Sequence, residues 1–302
     1  MSVTYSDGYT RSWSPDGEIA FLTLSDGTSL RYLKTGSGPA LVLLHTLRTQ
    51  LDYFQRLIPL LKDQFTVYAP DYPALGWSDI RPGANYREPD LRKAVVKFIE
   101  GLDLSGVTLV GESMGATLSL TAPTELGGRI RQIVALNSYD YPQGVERGNL
   151  LASFIVKALR VPVVGLVFSK LSNPMILGGV LAGGFYDRSK LPKDFVVELL
   201  RSAKRPGYAT VDTKYMRVLP SFIAARSLYP QINVPVTLVY GDRDWSKPEE
   251  RAGVAALIPG SRLITLAQTG HFSALERPEE IAKIVRDVAA SAGDDAAKLR
   301  RA

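Results

Sequence analysis

The sequence predicts an α/β fold in which a mainly parallel sheet is flanked by helices. Short, continuous apolar runs such as residues 40–44 and 107–110 are typical of strands that are buried on both faces. Segments with apolar residues at helical spacing, such as residues 51–62, lie between these runs. This alternation indicates right-handed crossovers between parallel strands, and it places functional loops at the carboxyl ends of the strands.

The first half of the chain is predicted to begin with a hairpin, because strand-like residues 18–24 and 29–34 flank a turn that contains Asp and Gly. Strands and helices then alternate as far as residue 136. In chain order, the predicted elements are a strand at 40–44, a helix at 51–62, a strand at 65–69, a helix at 87–100, a strand at 107–110 with a helix after it, and a strand at 130–136.

The alternation stops between residues 141 and 226, where the sequence is helix-like and unusually apolar. Residues 150–168 contain only two charged side chains, Lys157 and Arg160. We interpret residues 141–226 as a helical cap, or lid, inserted into a core domain. The core comprises residues 1–140 and 227–302, and its second part is predicted to contain a strand at 236–240, a helix at 248–257, a strand at 262–266 and a helix at 278–290.

The composition is that of an ordinary globular protein of 302 residues, with 45% hydrophobic and 22% charged residues. The chain has no cysteine, which excludes disulfide bonds and cysteine nucleophiles. Its net charge is +6, but basic and acidic residues are interleaved, so we expect no nucleic-acid partner. The first residues do not resemble a signal peptide, and no uncharged apolar run is long enough to span a bilayer. We therefore expect a cytoplasmic protein without stable membrane insertion.

The sequence Gly-Glu-Ser-Met-Gly at residues 111–115 lies between a β-prone run and a helix-forming run. A serine on such a strand-to-helix turn is held in a strained backbone conformation, and small residues are needed on either side because the strand and the helix approach closely. The turn exposes the Ser113 hydroxyl and directs backbone N–H groups of the helix towards the oxygen atom under attack. Since a serine is a poor nucleophile at neutral pH, a general base is also needed.

The chain has two histidines, His45 and His271. His271 follows the last predicted strand, Asp244 follows the strand before it, and we interpret His45 as structural. Four motifs in this order resemble those of the α/β-hydrolase superfamily, over nearly the whole chain. They are Asp-Tyr-Pro-Ala-Leu-Gly-Trp-Ser at 71–78, the pentapeptide at 111–115, Gly-Asp-Arg-Asp at 241–244, and Gly-His-Phe at 270–272 with Glu-Arg-Pro-Glu-Glu at 276–280.

The resemblance implies an α/β-hydrolase fold with Ser113 as the nucleophile, His271 as general base and then acid, and Asp244 as the carboxylate that fixes the imidazole tautomer. Two other carboxylates remain candidates for the last role, namely Asp242 and Asp140, which follows the strand before the predicted cap. We prefer Asp244 because that position of the Gly-x-x-Asp turn is directed towards the base.

The loop after the third strand departs from the family pattern of His-Gly-x, since this chain has His-Thr-Leu at residues 45–47. By position, the backbone N–H groups of Leu47 and Met114 are the implied oxyanion hole. Thr46 adopts a positive φ less readily than glycine, so we expect this loop to follow a different course. The alternative side-chain donors are Arg48, Thr49 and Gln50.

The resemblance implies an esterase-like serine hydrolase that acts on carboxylic esters through an acyl-enzyme. The apolar cap favours a small hydrophobic substrate with an acyl or aryl group, and we expect neither a cofactor nor a metal ion. Hydrolysis of carbon–carbon bonds and cofactor-free haloperoxidase or perhydrolase chemistry remain alternatives with the same triad. Epoxide hydrolases and dehalogenases are disfavoured, because they use aspartate where this chain has Ser113. A hydrolase-like binding or accessory protein is the non-enzymatic alternative.

Overall fold

An eight-stranded sheet forms the centre of the protein in the computed structural model, which describes residues 8–299 except Pro82 and Pro162. Residues 1–7, on which the expected absence of a signal peptide depends, lie outside this range. The strands are β1 (Glu18–Thr23), β2 (Ser29–Thr35), β3 (Ala40–Leu44), β4 (Thr66–Pro70), β5 (Val107–Glu112), β6 (Ile130–Leu136), β7 (Val236–Gly241) and β8 (Arg262–Leu266).

The strand order is β1-β2-β4-β3-β5-β6-β7-β8. Strand β2 pairs antiparallel with β1 and β4, whereas all the other neighbours pair in parallel. The mainly parallel sheet with a starting hairpin is therefore confirmed. The parallel arrangement brings the carboxyl ends of β3, β5, β6, β7 and β8 to one edge of the sheet.

The α-helices account for most of the remaining chain. They are α1 (Gly8–Trp13), α2 (Ile58–Leu61), α3 (Glu88–Gly101), α4 (Met114–Thr121), α5 (Pro123–Leu126), α6 (Leu150–Arg160), α7 (Val164–Lys170), α8 (Pro174–Ala182), α9 (Lys193–Ala203), α10 (Tyr208–Tyr215), α11 (Leu219–Ala224), α12 (Pro248–Leu257), α13 (Ser273–Glu276) and α14 (Pro278–Leu299).

The sheet is covered by helices on both faces, because successive side chains of its strands point to opposite sides. On β3, Val42 and Leu44 enter the apolar core beneath α3, whereas Leu41 and Leu43 enter a second core that includes Val285 of α14. All four β3 side chains are completely buried. The continuous apolar run at 40–44 thus has the position predicted for it.

The predicted helix at 51–62 is wrong, because a 3-10 turn at Leu51–Phe54 and the short helix α2 replace it. Pro59 explains the break, since it has no N–H to donate to the carbonyl four residues earlier. The apolar side chains at helical spacing, Leu51, Phe54, Leu57, Ile58 and Leu61, are nevertheless buried, so the periodicity indicated the inner face of the segment correctly.

The segment between β6 and β7 contains helices α6 to α11 and, among its described residues, no strand. It includes the region where the cap is predicted, and the division of the chain into cap and core stays a prediction. Within the described part of the chain, no single helix has the length and apolar composition needed to cross a bilayer; α7 and α8 meet these criteria only as a pair, bent by 105°.

Candidate active site

Ser113 occupies a sharp turn between the buried strand β5 and helix α4, with φ 59° and ψ −117°. This φ is in the left-handed region, which a side chain with a Cβ adopts only under strain. The turn also needs its two glycines. A Cβ at Gly111 would collide with the Gly115 carbonyl, and a Cβ at Gly115 would collide with the Leu44 carbonyl of β3.

Ser113, His271 and Asp244 form a continuous hydrogen-bonded chain. The Ser113 Oγ lies 2.8 Å from His271 Nε2, and His271 Nδ1 makes a close hydrogen bond to Asp244 Oδ1. The Ser113 and His271 residues are almost fully buried, with exposed fractions of 2% and 0%. Because Asp244 accepts the proton of Nδ1, the lone pair of Nε2 faces the serine hydroxyl.

The carboxylate of Asp244 is held in its ionised form. Burial by itself would raise the pKa of Asp244, but the adjacent His271 and hydrogen bonds from Ser246 outweigh burial and leave that pKa below its ordinary value. The backbone N–H of Ser246 donates to Asp244 Oδ2 at 2.9 Å, and the Ser246 hydroxyl donates to the same oxygen. An ionised Asp244 can therefore accept from His271 at neutral pH.

The other two candidate carboxylates lie elsewhere. Asp242 accepts a hydrogen bond of 3.1 Å from the backbone N–H of Thr269. Asp140 is buried and accepts from the Tyr229 hydroxyl at 2.5 Å. Of the three carboxylates considered, only Asp244 contacts His271.

Glu112 connects this turn to the loop that carries His271, a role that the sequence analysis missed. Its fully buried carboxylate accepts hydrogen bonds from elements on both sides, and burial raises the pKa of Glu112. Asn137, one of the donors, also donates to the His271 carbonyl at 3.1 Å. The donors are Tyr53 Oη (2.6 Å), Asn137 Nδ2 (3.0 Å), Ser273 N (2.5 Å), Ser273 Oγ (2.6 Å) and Ala274 N (3.0 Å). An acidic residue at the end of a buried strand, directly before Ser113, was the available signal.

Trp245 is a second residue that the sequence analysis missed, although it directly follows Asp244. Its ring stacks on the His271 imidazole, with centroids 3.9 Å apart and an interplanar angle of 18°. Its indole N–H donates to the Gly183 carbonyl at 3.1 Å. The indole thus covers one face of the imidazole, and an aromatic face stabilises a cation in this position.

The loop after β3 places Thr46, Leu47 and Arg48 beside Ser113 at the same cavity. Within the described part of the chain, neither the Leu47 N–H nor the Met114 N–H donates to a backbone carbonyl. Their role as an oxyanion hole stays a prediction.

The backbone strain of this loop lies at Arg48, with φ 59°, and not at Thr46. The Arg48 side chain explains how this conformation is held, because its Nε and Nη2 atoms lie 2.7 and 3.0 Å from the carboxylate of Asp212 on α10. Arg48 is thus paired with an acid. The two other alternative donors are also engaged, with Thr49 bonded to the Thr46 carbonyl and Gln50 to Asp52.

His45 is buried beneath the loop and makes hydrogen bonds through both ring nitrogens. Its Nδ1 lies 2.9 Å from the Thr46 carbonyl, and the Tyr72 N–H donates to its Nε2 at 3.3 Å. This pattern requires the neutral imidazole with its proton on Nδ1. Burial lowers the pKa of His45 to about 4.

Ser113 opens into a largely apolar cavity of about 50 Å³. Trp245 and Phe272 line it from the loops after β7 and β8. Val156 of α6 and Val180 of α8 line it from the predicted cap. Ser113 thereby faces largely apolar surroundings, where electrostatic interactions are stronger than in water.

Comparisons with known proteins agree with this architecture. The chain is similar to the uncharacterized hydrolase YugF of Bacillus subtilis, with 27% identity over 87% of this chain and 94% of the relative. Haloalkane dehalogenase 2 of Mycobacterium tuberculosis is 24% identical over 85% of this chain and 90% of its own. The crystal structure of Cfl2 from Burkholderia cenocepacia superposes with a TM-score of 0.78 and 21% identity, covering 90% and 96% of the two chains.

A family model described as the alpha/beta hydrolase family matches residues 41–284. This match extends from the first parallel strand to the last helix and includes every residue of the hydrogen-bonded chain described above. The protein belongs to the alpha/beta hydrolase family.

Proposed function

We propose that this hydrolase cleaves small hydrophobic carboxylic esters through an acyl-enzyme on Ser113. The observation that carries the proposal is the 2.8 Å contact between Ser113 Oγ and His271 Nε2, with Asp244 on the opposite ring nitrogen. A base within hydrogen-bonding distance of the hydroxyl, and itself oriented by a carboxylate, is the arrangement that activates a serine.

In the proposed reaction, Ser113 Oγ attacks the ester carbonyl while its proton moves to His271 Nε2. The Leu47 and Met114 N–H groups stabilise the oxyanion of the tetrahedral intermediate. When the intermediate collapses, His271 protonates the leaving alcohol and the acyl group remains on Ser113. A water molecule, deprotonated by the same imidazole, then attacks the acyl-enzyme. The bond between the acyl carbon and Ser113 Oγ breaks, His271 returns the proton to Ser113, and the carboxylic acid is released.

Ionised Asp244 and stacked Trp245 both support the protonated imidazole that forms in each half of the reaction. The Asp244 carboxylate supplies the charge opposite to that of the imidazolium, and the Trp245 indole supplies an aromatic face whose centroid is 3.9 Å from that of the His271 ring.

The nucleophile also separates this chain from the dehalogenase relative. Dehalogenases, as a class, resemble this architecture with aspartate at the turn, whereas this chain has Ser113.

The cavity supports the hydrophobic substrate class. Its volume of about 50 Å³ and its largely apolar lining accommodate a short apolar acyl group, and the charged side chain at its wall, Arg48, is already paired with Asp212. We further propose that residues 141–226 act as the cap over this cavity, since α6 and α8 supply part of its wall.

Labelling with a fluorophosphonate, which reacts with activated serines, tests the proposal. We expect mass spectrometry to find the adduct on Ser113. We also expect Ser113→Ala to lower kcat for a short-chain aryl ester roughly a thousandfold or more. Ser119→Ala is the matched control, because Ser119 is also buried on α4 but donates only to the Gly115 carbonyl. Its kcat should stay close to that of the native chain.

A substrate series defines the reaction. We expect aryl acetate and butyrate to be cleaved with a higher kcat/KM than aryl octanoate, because the cavity is small. If a vinylogous diketone were cleaved faster than any ester, the proposed reaction would be hydrolysis of a carbon–carbon bond and not of an ester. Folded native protein that is not labelled at Ser113 and cleaves neither substrate would contradict the catalytic proposal altogether.

A further inference from the structure

Helices α6, α7 and α8 expose an unusual number of large apolar side chains. The exposed fraction is 90% for Leu150, 60% for Phe154 and 81% for Met175. We use the term apolar face for the exposed residues Leu150, Leu151, Phe154, Val161, Val163, Val164, Val167, Leu171 and Met175. Contiguous apolar surface of this kind on a folded domain marks an interaction site.

The apolar face is continuous across the helices. On α6, Leu150, Phe154 and Lys157 recur at intervals of four and three residues, which places them on one side of the helix. Helix α6 packs against both α7 and α8. The ring of Phe154 also contacts that of Phe168 on α7, with centroids 5.7 Å apart.

The opposite side of these helices is already occupied. Ile155, Val156 and Leu159 of α6 are buried in a small core with Val180 of α8. The helices therefore have two apolar sides, one packed over the cavity and one exposed. Packing inside the described part of the chain explains only why the side over the cavity is apolar.

The charges within the chain segment that carries the apolar face all have one sign. No Asp or Glu occurs between Glu146 and Asp187. Lys157 and Lys170 are exposed, and helical spacing places them on the same sides of α6 and α7 as the exposed apolar residues. Long lysine side chains can cover apolar surface while their ammonium groups reach an anion at its edge.

We propose that the apolar face docks onto the surface of an anionic lipid bilayer. Apolar side chains that enter the interface, together with lysines that contact anionic headgroups, are the two components of peripheral membrane binding. A second copy of the chain fits less well, because a two-fold contact through this face would bring Lys157 and Lys170 of both copies together. Insertion across the bilayer is not part of the proposal.

Docking would hold the cavity beside the membrane, because α6 and α8 contribute both to the apolar face and to the cavity wall. Membrane binding itself is independent of the proposed ester hydrolysis. It can be measured on Ser113→Ala, which also prevents any hydrolysis of the lipid during the assay.

Cosedimentation with vesicles tests the proposal. Neutral vesicles of phosphatidylcholine are compared with anionic vesicles that contain both phosphatidylcholine and phosphatidylglycerol. We expect the full chain to bind the anionic vesicles in preference to the neutral ones. The double variant Leu150→Ser/Phe154→Ser should bind both at least about tenfold more weakly, because it removes apolar area from the interface. The double variant Lys157→Glu/Lys170→Glu should have an affinity for anionic vesicles at least about thirtyfold lower, and an unchanged affinity for neutral vesicles.

Two matched controls separate this face from general surface properties. Leu263→Ser removes an exposed leucine of β8, and Lys93→Glu reverses an exposed charge on α3. Both should bind like the native chain, and thermal melting should show that all variants are folded. The proposal is overturned if the native chain binds neither vesicle, or if the apolar or charge variants bind as it does. A dimer that Leu150→Ser/Phe154→Ser dissociates, without vesicle binding, would identify the face as a self-contact instead.

Discussion

Glu112 is a fully buried carboxylate whose hydrogen-bond partners are all donors. It lies one residue before Ser113, and it accepts from Ser273, two residues after His271. The distance between the proposed nucleophile and its base therefore depends on this carboxylate as well as on the two side chains. An unsatisfied buried acceptor would cost about 1–3 kcal/mol, so each of these donors stabilises the arrangement.

His45 provides a prediction of pH dependence at the scale of one residue. Its pKa is lowered by burial from 6.5 to about 4, whereas the unfolded chain keeps the ordinary value. As the pH falls from 6.5 towards 4, the unfolded state takes up a proton and the folded state does not. The free energy of unfolding should therefore fall, with about 2 kcal/mol lost by pH 5.

Urea unfolding of the native chain and His45→Gln at pH 7 and pH 5 measures this contribution. A glutamine amide can donate to the Thr46 carbonyl and accept from the Tyr72 N–H, but it does not titrate. We expect the variant to lose less stability than the native chain over this pH interval. Equal losses in the two proteins would show that His45 is protonated as readily when folded as when unfolded.

The strand-turn-helix element around Ser113 was predictable in both position and type. Its signal is local, because β-prone residues, small residues and helix formers follow one another directly in the sequence. For the segment at 51–62, by contrast, the sequence predicted the buried side but not the type of element. Its apolar period indicated the buried side correctly, but Pro59 divides the backbone into a 3-10 turn and a short helix.

The close approach of β5, α4 and β3 leads to a prediction at the scale of secondary-structure elements. Gly115→Ala would place a methyl group against the Leu44 carbonyl, so the turn at Ser113 must shift or α4 must move away from β3. We expect a loss of at least about 2 kcal/mol in the free energy of unfolding, together with a large loss of any esterase activity.

Gly128→Ala is the matched control for this prediction. Gly128 lies in an exposed 3-10 turn, with no described atom near the added methyl group and no positive φ. Its stability should change by no more than about 0.5 kcal/mol, measured by the same urea unfolding. If Gly115→Ala and Gly128→Ala were equally stable, the close approach of Gly115 to Leu44 would not constrain the turn at Ser113.

At the scale of the whole molecule, the segment between β6 and β7 makes direct contacts with the residues of the site. The carbonyl of Gly184 accepts from the His271 N–H at 2.6 Å, and the carbonyl of Gly183 accepts from Trp245. On the other side of the cavity, Asp212 holds Arg48 in the loop that carries Leu47. Both sides of the proposed reaction centre thus depend on the predicted cap.

Asp212→Asn tests the second of these links. The Asp212 side chain is completely buried and that of Arg48 is 14% exposed, so the substitution leaves a largely buried cation without its carboxylate. We expect the free energy of unfolding to fall by about 3 kcal/mol. We also expect kcat for an aryl ester to fall more than KM rises, because the Leu47 N–H would move away from the oxyanion.

Asp103→Asn is the control for this substitution, since Asp103 pairs with Arg129 at the surface and its side chain is 90% exposed. Its stability should change by less than about 0.5 kcal/mol, because solvent screens an exposed pair. An Asp212→Asn variant that matches this control in stability and kcat would show that the ion pair does not position the loop.

The sequence alone determined the α/β architecture, the family resemblance and the two side chains, Ser113 and His271, between which a proton is proposed to move. It could do so because each of these depends on a short local pattern, and because parallel strands bring the loops after them to one edge of the sheet. Only the tertiary structure decided which carboxylate contacts His271, and only it placed the backbone strain of the loop after β3 at Arg48. It also decided the contacts of Glu112 with Ser273 and of Arg48 with Asp212. The partners in these contacts are 161 and 164 residues apart, so the packing of distant elements, which no local pattern records, brings them together.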